Sequence, residues 1–500
     1  MLFLFFLVSF NYHLLRIAKE PLIITAKSSG AEVIPFLKVW AMLPTAILLT
    51  FFYTKLSNRF NREKVFYVIM GAFLAFFAIF ILVLYPYRES LYLNGFSDQL
   101  AKILPAGFKG FIAMIRYWMY SLFYVMAESW SNIMLSVLLW GFANDVTTIS
   151  EAKRFYALFG IGINSSGIIA GKFGDYLSSK ISFTQSLHIP KFFTSLGAKT
   201  AWDETLYIVV FVIIACGMLT IALHRFLHIK IFIYRDKATA TTFSDSKDDK
   251  PKLSLRKTLA YVARSKYLML IAVIVLAYNL MINLTEVLWK AEIKELFPRS
   301  DEYLAYMSKV TFFTGIVATF GSYFISGNVI RRFGWKWAAL ITPVIMLITG
   351  AGFFYFLFVE HYSLSSTQAL IIGSTPLAMA VFFGALQNAL SRAAKYTVYD
   401  DTKEMAFIPL SAESRLKGKS AIDGIGSRLG KSGSSLIFQM LLLIFSTPLA
   451  CSAVVAVIAL IILPVWFFAV RSLDKRFQVL ATNSGQLPEP TQTTSEIPAS

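Results

Sequence analysis

About twelve separate apolar stretches, each long enough to be a membrane-crossing helix, divide this 500-residue chain and constrain its fold more than any other feature. A helix needs about 20 apolar residues to cross the hydrocarbon core. In lipid, only helices and closed barrels satisfy every backbone polar group. The stretches lie near 1–22, 33–54, 65–85, 110–140, 155–182, 205–229, 267–289, 304–329, 336–359, 367–391, 429–446 and 448–470. The fourth is too long for one straight crossing and is expected to extend beyond the bilayer. Composition agrees: hydrophobic residues reach 56% and charged residues only 15%, where a soluble chain carries about 25% charge. Mean hydropathy is +0.61. A soluble enzyme and a disordered chain are both excluded, and the expected fold class is an all-α integral membrane protein. Cys216 and Cys451 lie in apolar runs, so buried thiols are expected rather than a disulfide framework or a zinc site.

The spans fall six and six around a polar stretch, YRDKATATTFSDSKDDKPKLSLRK. Residues 1–233 are expected to form one six-helix bundle, 234–266 a cytoplasmic linker and 267–472 a second six-helix bundle. Residues 473–500 run into a Thr-, Pro- and Ser-rich end and are expected to be a disordered tail. Lys and Arg total 47 against 29 Asp and Glu, a net charge of +18. In a soluble chain such an excess would point to nucleic acid. Here the basic residues crowd the even-numbered loops, which predicts that both termini are cytoplasmic and no nucleic acid is bound. The opening MLFLFFLVSF has no basic start and no small-x-small site before Arg16, so it reads as helix rather than cleaved signal. Only 15 residues precede Arg16. Either the start is truncated, or Arg16 and Lys19 lie well inside the membrane. A weak echo links the halves. Basic loops KLSNRFNREK and RRFGWKW follow spans two and eight, Asn11 precedes Lys19, and Asn279 precedes Glu286 and Lys290. Repeated halves around a midplane site are the plan of secondary transporters.

Ionisable residues inside membrane spans are costly and mark pathways or relays. This chain places Arg16, Lys19, Glu20, Lys38, Arg116, Glu128, Glu286, Lys290, Lys309, Arg392, Arg428 and Lys431 in or beside spans. Cations outnumber acids, as a cavity for a multiply charged anion such as a phosphate ester requires. For Lys38, Lys290 and Arg392, each near an estimated boundary, a snorkelling or structural role weighs evenly with a binding role. Arg116, Glu128, Glu286 and Lys431 are flanked by apolar helix on both sides and stand as stronger candidates.

Span four places Glu128 and Asn132 on one face at i,i+4. Tyr117, Tyr120, Tyr124 and Trp130 offer flat surfaces for a base, although packing explains any single aromatic better. In span five, Gly167 and Gly171 form a GxxxG pair suited to close helix approach. Gly-Lys-Ser occurs at 418–420 and 430–432, but a phosphate loop also needs a glycine with four residues intervening; Glu413 and Ile425 stand there. Phosphate bound here is expected to meet side-chain charge, with Arg428 and Lys431 reaching into a cavity. His224 and His228 have chelating spacing but no acidic third ligand in view, so no metal is expected there.

Five segments together carry a family resemblance: SGAEVIPFLKVW (Ser29–Trp40), KLSNRF (Lys55–Phe60), WGFAND (Trp140–Asp145), EAKRFYALFGIG (Glu151–Gly162) and SAIDGIGSRLGKSGSS (Ser420–Ser435). The chain resembles the nucleotide transporter (ATP/ADP translocase) family of obligate intracellular bacteria and plastids, over nearly its whole length. The resemblance implies a twelve-span, major-facilitator-like inner-membrane protein that exchanges ATP for ADP and phosphate. It also implies functional roles for Lys19, Glu128, Glu286 and Lys431. One departure stands in span one. Where such exchangers have Leu-Arg-Asp-Thr-Lys-Asp, this chain has Leu15-Arg16-Ile17-Ala18-Lys19-Glu20. That departure brings proton-coupled or broader transport of GTP, UTP or NAD into competition with strict ATP/ADP exchange.

The expected mechanism is alternating access by a monomer with no cofactor, the two halves rocking about a basic midplane cavity. Lys19 and Lys431, helped by Arg16, Arg116 and Arg428, would hold phosphates; Glu128, Glu286 and Asn132 would pair the cations or orient ribose and base. A membrane-embedded transferase would need a catalytic His or paired acids near one face, and only His13 lies within a span. A channel would need rings of like charge.

Overall fold

The computed structural model describes residues 1–146, 149–179, 190–236, 262–324, 326–362, 374–419, 421–422 and 427–483. The described parts of the expected apolar stretches fall on helices, the fourth on two of them. The first six are α1 (Leu2–Ile24), α2 (Val33–Arg59), α3 (Arg62–Leu84), α4 (Trp118–Ala143), α5 (Ile149–Ser178) and α6 (Ala201–Asp236). The rest are α7 (Lys266–Leu296), α8 (Ser300–Phe324), α9 (Ser326–Tyr362), α10 (Pro376–Ala394), α11 (Ser427–Phe445) and α12 (Ser452–Asn483). Among the described residues there is no β-strand, and nine helices are long and apolar enough to cross a membrane. Those corresponding to α5, α10 and α11 do not meet that measure; the tail of α11, Gly430–Phe445, is a shorter apolar helix. The protein is an all-α membrane protein.

Local chemistry sets the helix ends. Thr375 caps α10 by accepting the Ala378 N–H at 3.2 Å, with Pro376 in the first turn where its missing N–H costs nothing. Ser265 caps α7 in the same way. Gly334, at φ +79°, breaks α9 near its start, a backbone region that glycine enters without a Cβ penalty. The long fourth stretch is not one rod: a helix at Lys109–Arg116 ends at Tyr117 (φ −104°, ψ 46°) before α4 begins. The expected linker lies mostly in 237–261, outside the described residues, and α6 runs on through Asp236. Helix α12 occupies 473–483, the front of the expected tail, because Leu473 and Phe477 are buried and Phe477 stacks on Trp335 at 5.4 Å. Cys451 is buried and Cys216 half-buried, both free thiols.

One hydrophobic core joins residues of α1–α6 with residues of α7–α12; a second lies wholly after residue 261. The two sets of six helices therefore share apolar packing. Their closest seam is α5 against α8. A Cβ on Gly171 would stand 2.5 Å from the Phe312 backbone nitrogen, and one on Gly315 would stand 2.8 Å from that of Ile168. The expected close approach at Gly171 is thus made to α8, while Gly167 faces the His13 ring. A polar seam joins the sets beside the α1–α2 turn. Thr25 and Ser300 hydroxyls meet at 2.6 Å, Lys294 donates to the Ser29 carbonyl, and Gln439 donates to the Pro35 carbonyl at 2.8 Å.

Candidate functional site

Five helices from both sets bring their charges together at one place. From α1 come Arg16, Lys19 and Glu20, all buried. From α2 comes Lys38, from α4 Glu128, from α7 Asn283, Glu286 and Lys290, and from α10 Asn388 and Arg392. Three of these helices widen at the site. Wide π-type turns run over Leu37–Met42, which holds Lys38, over Ser131–Leu139 just after Glu128, and over Lys395–Tyr399 just after Arg392. Such turns are rare and gather at functional sites. In α1, Pro21 removes one backbone N–H directly after Glu20.

The pairing is dense. Lys19 bonds Glu128, and its Nζ lies 4.3 Å from the Tyr124 ring centroid. Lys290 Nζ lies 2.7 Å from Glu20 Oε1 and 3.1 Å from Glu286 Oε1. Glu286 also takes Arg392 at 3.1 Å and Lys38 at 3.5 Å. Lys38 donates to Asn283 at 2.8 Å. Asn388 Oδ1 accepts from Arg392 at 2.9 Å and from Arg16 at 3.4 Å. Five cations therefore face three carboxylates. Four of these contacts, Lys290–Glu20, Lys38–Glu286, Lys38–Asn283 and Arg16–Asn388, tie the first six helices to the last six.

Burial is graded across the cluster. Lys19, Glu20 and Lys290 side chains are at most 4% exposed, whereas Glu128 is 29% and Arg392 21% exposed. A solvent-reached rim thus leads to a dry interior. Buried charges persist only when paired, because removing them from water costs several kcal/mol each. The excess of cations is then the part an incoming anion can satisfy. Phosphate oxygens can take the places of carboxylate oxygens on Lys and Arg without change of donor geometry.

Of the sequence candidates, Arg16, Lys19, Glu128 and Glu286 are brought together here. Asn132 is exposed on α4 and donates to its own helix at the Glu128 carbonyl, 3.4 Å away. Arg116 lies outside the cluster, bonded to the largely exposed Asp98. Lys431 is exposed on α11, next to Gly430, whose Cβ position would stand 2.8 Å from Asn279 on α7. The Arg428 side chain lies outside the described residues. Apart from Tyr124 beside Lys19, the aromatics of the fourth stretch serve packing and hydrogen bonding. Trp130 donates to the Val8 carbonyl at 3.0 Å, Tyr117 to the Lys27 carbonyl at 2.6 Å, and Tyr120 meets Tyr92 at 2.6 Å. His224 stacks on Phe66 at 4.0 Å and His228 lies 3.4 Å from Glu63, so both join α6 to α3.

The sequence marks Lys38, Lys290, Arg392 and Glu20 as charges in or beside spans without assigning them to the site, and charge gives no sign of Asn283 and Asn388. Their signal is spacing: Asn283, Glu286 and Lys290 fall on one face of α7 at i, i+3 and i+7, and Asn388 and Arg392 on one face of α10 at i and i+4.

Comparison with known proteins follows the same lines. The family model described as TLC ATP/ADP transporter matches residues 1–477. The ADP,ATP carrier protein 1 of Chlamydia muridarum is 43% identical over 478 residues, 95% of this chain and 88% of the relative. The plastidic ATP/ADP-transporter of Solanum tuberosum is 40% identical over 499 residues, 99% of this chain and 75% of the relative. The chloroplastic ADP,ATP carrier protein 1 of Arabidopsis thaliana is 38% identical over 479 residues. With a family match over nearly its full length and relatives this similar on the same residues, the chain belongs to the TLC ATP/ADP transporter family, a family of transporters and not of enzymes.

Proposed function

We propose that this protein exchanges ATP for ADP across a membrane by alternating access, with the cluster around Lys19, Glu286 and Lys290 as its polyphosphate site. The observation that carries the reading is the cluster's composition: five cations against three carboxylates, drawn from both sets of six helices. Residues 1–233 and 267–472 act as the two rocking bodies, joined by the cytoplasmic segment 234–266, in a major-facilitator-like layout of twelve spans. Both termini lie in the cytoplasm of a cell whose inner membrane holds the protein, and one chain supplies both halves, so a monomer suffices.

The chemistry runs through exchange of partners. An arriving polyphosphate meets Lys38 and Arg392 at the solvent-reached rim and draws them from Glu286. Lys19 and Lys290 follow, each leaving a carboxylate for a phosphate oxygen, and Arg16 leaves the Asn388 amide oxygen. Glu128 and Glu286, once released, accept from ribose hydroxyls or base amines. Lys431 and Arg428 on α11 complete the phosphate shell as the halves close, and Asn132, one turn beyond Glu128, lies on the approach. Without a ligand, Lys290–Glu20 and Lys38–Glu286 stay locked across the halves, so reorientation is slow and exchange is obligate. Membrane lipid is the only other partner required.

The departure at Ile17 and Ala18 supports exchange over a changed substrate range. Both residues are fully buried, and the Ile17 methyl would stand 2.6 Å from a Cβ on Gly174 of α5. That side chain is used for packing and not for the charge cluster. Transport of GTP or UTP is the second reading, since the five cations of the cluster address phosphates that those nucleotides share with ATP.

The test is labelled ATP uptake into proteoliposomes. Preloaded ADP should accelerate uptake and a proton uncoupler should leave it unchanged; the reverse pattern would establish symport. Lys19→Ala should abolish uptake, and normal rate and affinity in that variant would refute the site.

A further inference from the structure

A group of side chains able to ligate a metal lies at the C-terminal ends of α7 and α9, apart from the central charges. Glu292 is fully buried, Glu295 is exposed one turn further along α7, and His361 on α9 is 20% exposed. One ligand atom from each of the three lies within 4.8 Å of the others. His361 Nε2 stands 3.1 Å and 3.2 Å from the two Glu292 carboxylate oxygens. Glu360, beside His361, turns a carboxylate oxygen to the Leu377 N–H at 3.0 Å and so is engaged at the start of α10.

We propose that Glu292, Glu295 and His361 form a binding site for a divalent transition-metal cation of the Zn²⁺ class. Imidazole with two carboxylates is a mixed nitrogen and oxygen donor set that suits this ion, at bond lengths of about 2.0–2.2 Å. Ligand atoms around a tetrahedral ion of that size sit roughly 3.3 Å apart. The His361–Glu292 separation already matches that edge, and only Glu295, exposed and free to change rotamer, must close in. A water fills the fourth position. The local charge agrees: three carboxylates surround one imidazole in a chain of net charge +18. A fully buried carboxylate such as Glu292 needs a proton, a hydrogen-bond donor or a cation beside it, and a bound ion would supply the last.

The site bears on transport through α7. That helix carries Asn283, Glu286 and Lys290 of the central cluster and Lys294 of the seam beside the α1–α2 turn. An ion clamping the end of α7 to α9 holds those groups in place and slows their partner exchange. This consequence rests on the proposed function; binding of the metal does not.

Binding is therefore tested first, on the purified full chain in detergent without nucleotide. Zn²⁺ titrated by calorimetry should bind saturably at one site and raise Tm, with Mg²⁺ giving neither effect. His361→Ala should abolish binding. Glu295→Gln, an exposed change that leaves folding intact, should weaken it about tenfold or more. His228→Ala, on the other histidine pair, should bind as the parent does. Equal Zn²⁺ binding by the parent and by Glu295→Gln, or no saturable binding at all, overturns the site and leaves His361–Glu292 a plain ion pair. In proteoliposomes, Zn²⁺ should slow ATP/ADP exchange by the parent and not by Glu295→Gln. Metal binding without any effect on exchange refutes the regulatory consequence alone.

Discussion

Replacing Lys290 by Met should be among the most damaging single changes in the protein, and its magnitude follows from who loses a partner. Lys290 Nζ serves two carboxylates, Glu20 at 2.7 Å and Glu286 at 3.1 Å. Glu286 keeps Arg392 at 3.1 Å and Lys38 at 3.5 Å, so it stays compensated. Glu20 does not: its side chain is 3% exposed, and its second oxygen, Oε2, has no hydrogen-bond partner. Removing one member of a buried pair costs about 3–5 kcal/mol, chiefly from the charge left behind. Almost all of that cost should sit on Glu20. Lys290→Met should therefore lower the unfolding midpoint in detergent by many degrees. Adding Glu20→Gln should recover most of the loss, because a neutral amide needs no counter-charge. Thermal unfolding of parent, both single variants and the double variant gives the coupling directly. If Lys290→Met alone unfolds as the parent does, or Glu20→Gln restores nothing, the assignment of Glu20 as the dependent charge is wrong.

Further expectations follow from other parts of the structure. Gly171→Leu should force α5 from α8, at about 1–3 kcal/mol of overpacking, and depress exchange. Gly160→Ala, with nothing within 4 Å of its Cβ position, should be silent in the same thermal and transport assays. Arg116→Ala should change stability by no more than about 1 kcal/mol and leave ATP affinity within reach of the parent, since its partner Asp98 is largely exposed; a large rise in KM would place Arg116 in the pathway. Asp203→Ala should cost about 3–5 kcal/mol, because the buried carboxylate holds Arg88 at 3.0 Å, the Tyr85 hydroxyl at 2.7 Å and two backbone N–H groups at the start of α6. Circular-dichroism melting checks it, and an unchanged melt would show that the cluster carries no net stability.

The helices were legible because lipid-length apolar runs have few other uses. Glu128 and Glu286 stand out because apolar neighbours on both sides leave a charge nowhere to go, and Arg16 and Lys19 because they fall inside an apolar first span. Lys290 and Arg392 were less legible for a physical reason. Each sits toward a helix end, where snorkelling to the interface is the ordinary fate of a long cation. Only the tertiary partner, Glu20 for one and Glu286 for the other, separates the two fates. Arg116 shows the converse. Apolar residues surround it in sequence, yet the backbone break at Tyr117 puts it at the end of a short helix, beside Asp98. Asn283 and Asn388 carry no charge to announce them, and their roles exist only through the cations they accept from.

The wiring of the two sets of helices is mirrored with its polarity reversed. In the first set the cation, Lys19, comes from the leading helix and the acid, Glu128, from the fourth. In the second set the acid, Glu286, comes from the leading helix and the cation, Arg392, from the fourth. An anion bound as proposed would tug on opposite members of an otherwise matching pair. One lobe would be pulled by its opening helix and the other by its fourth, and the two sides would then not close as mirror images of each other.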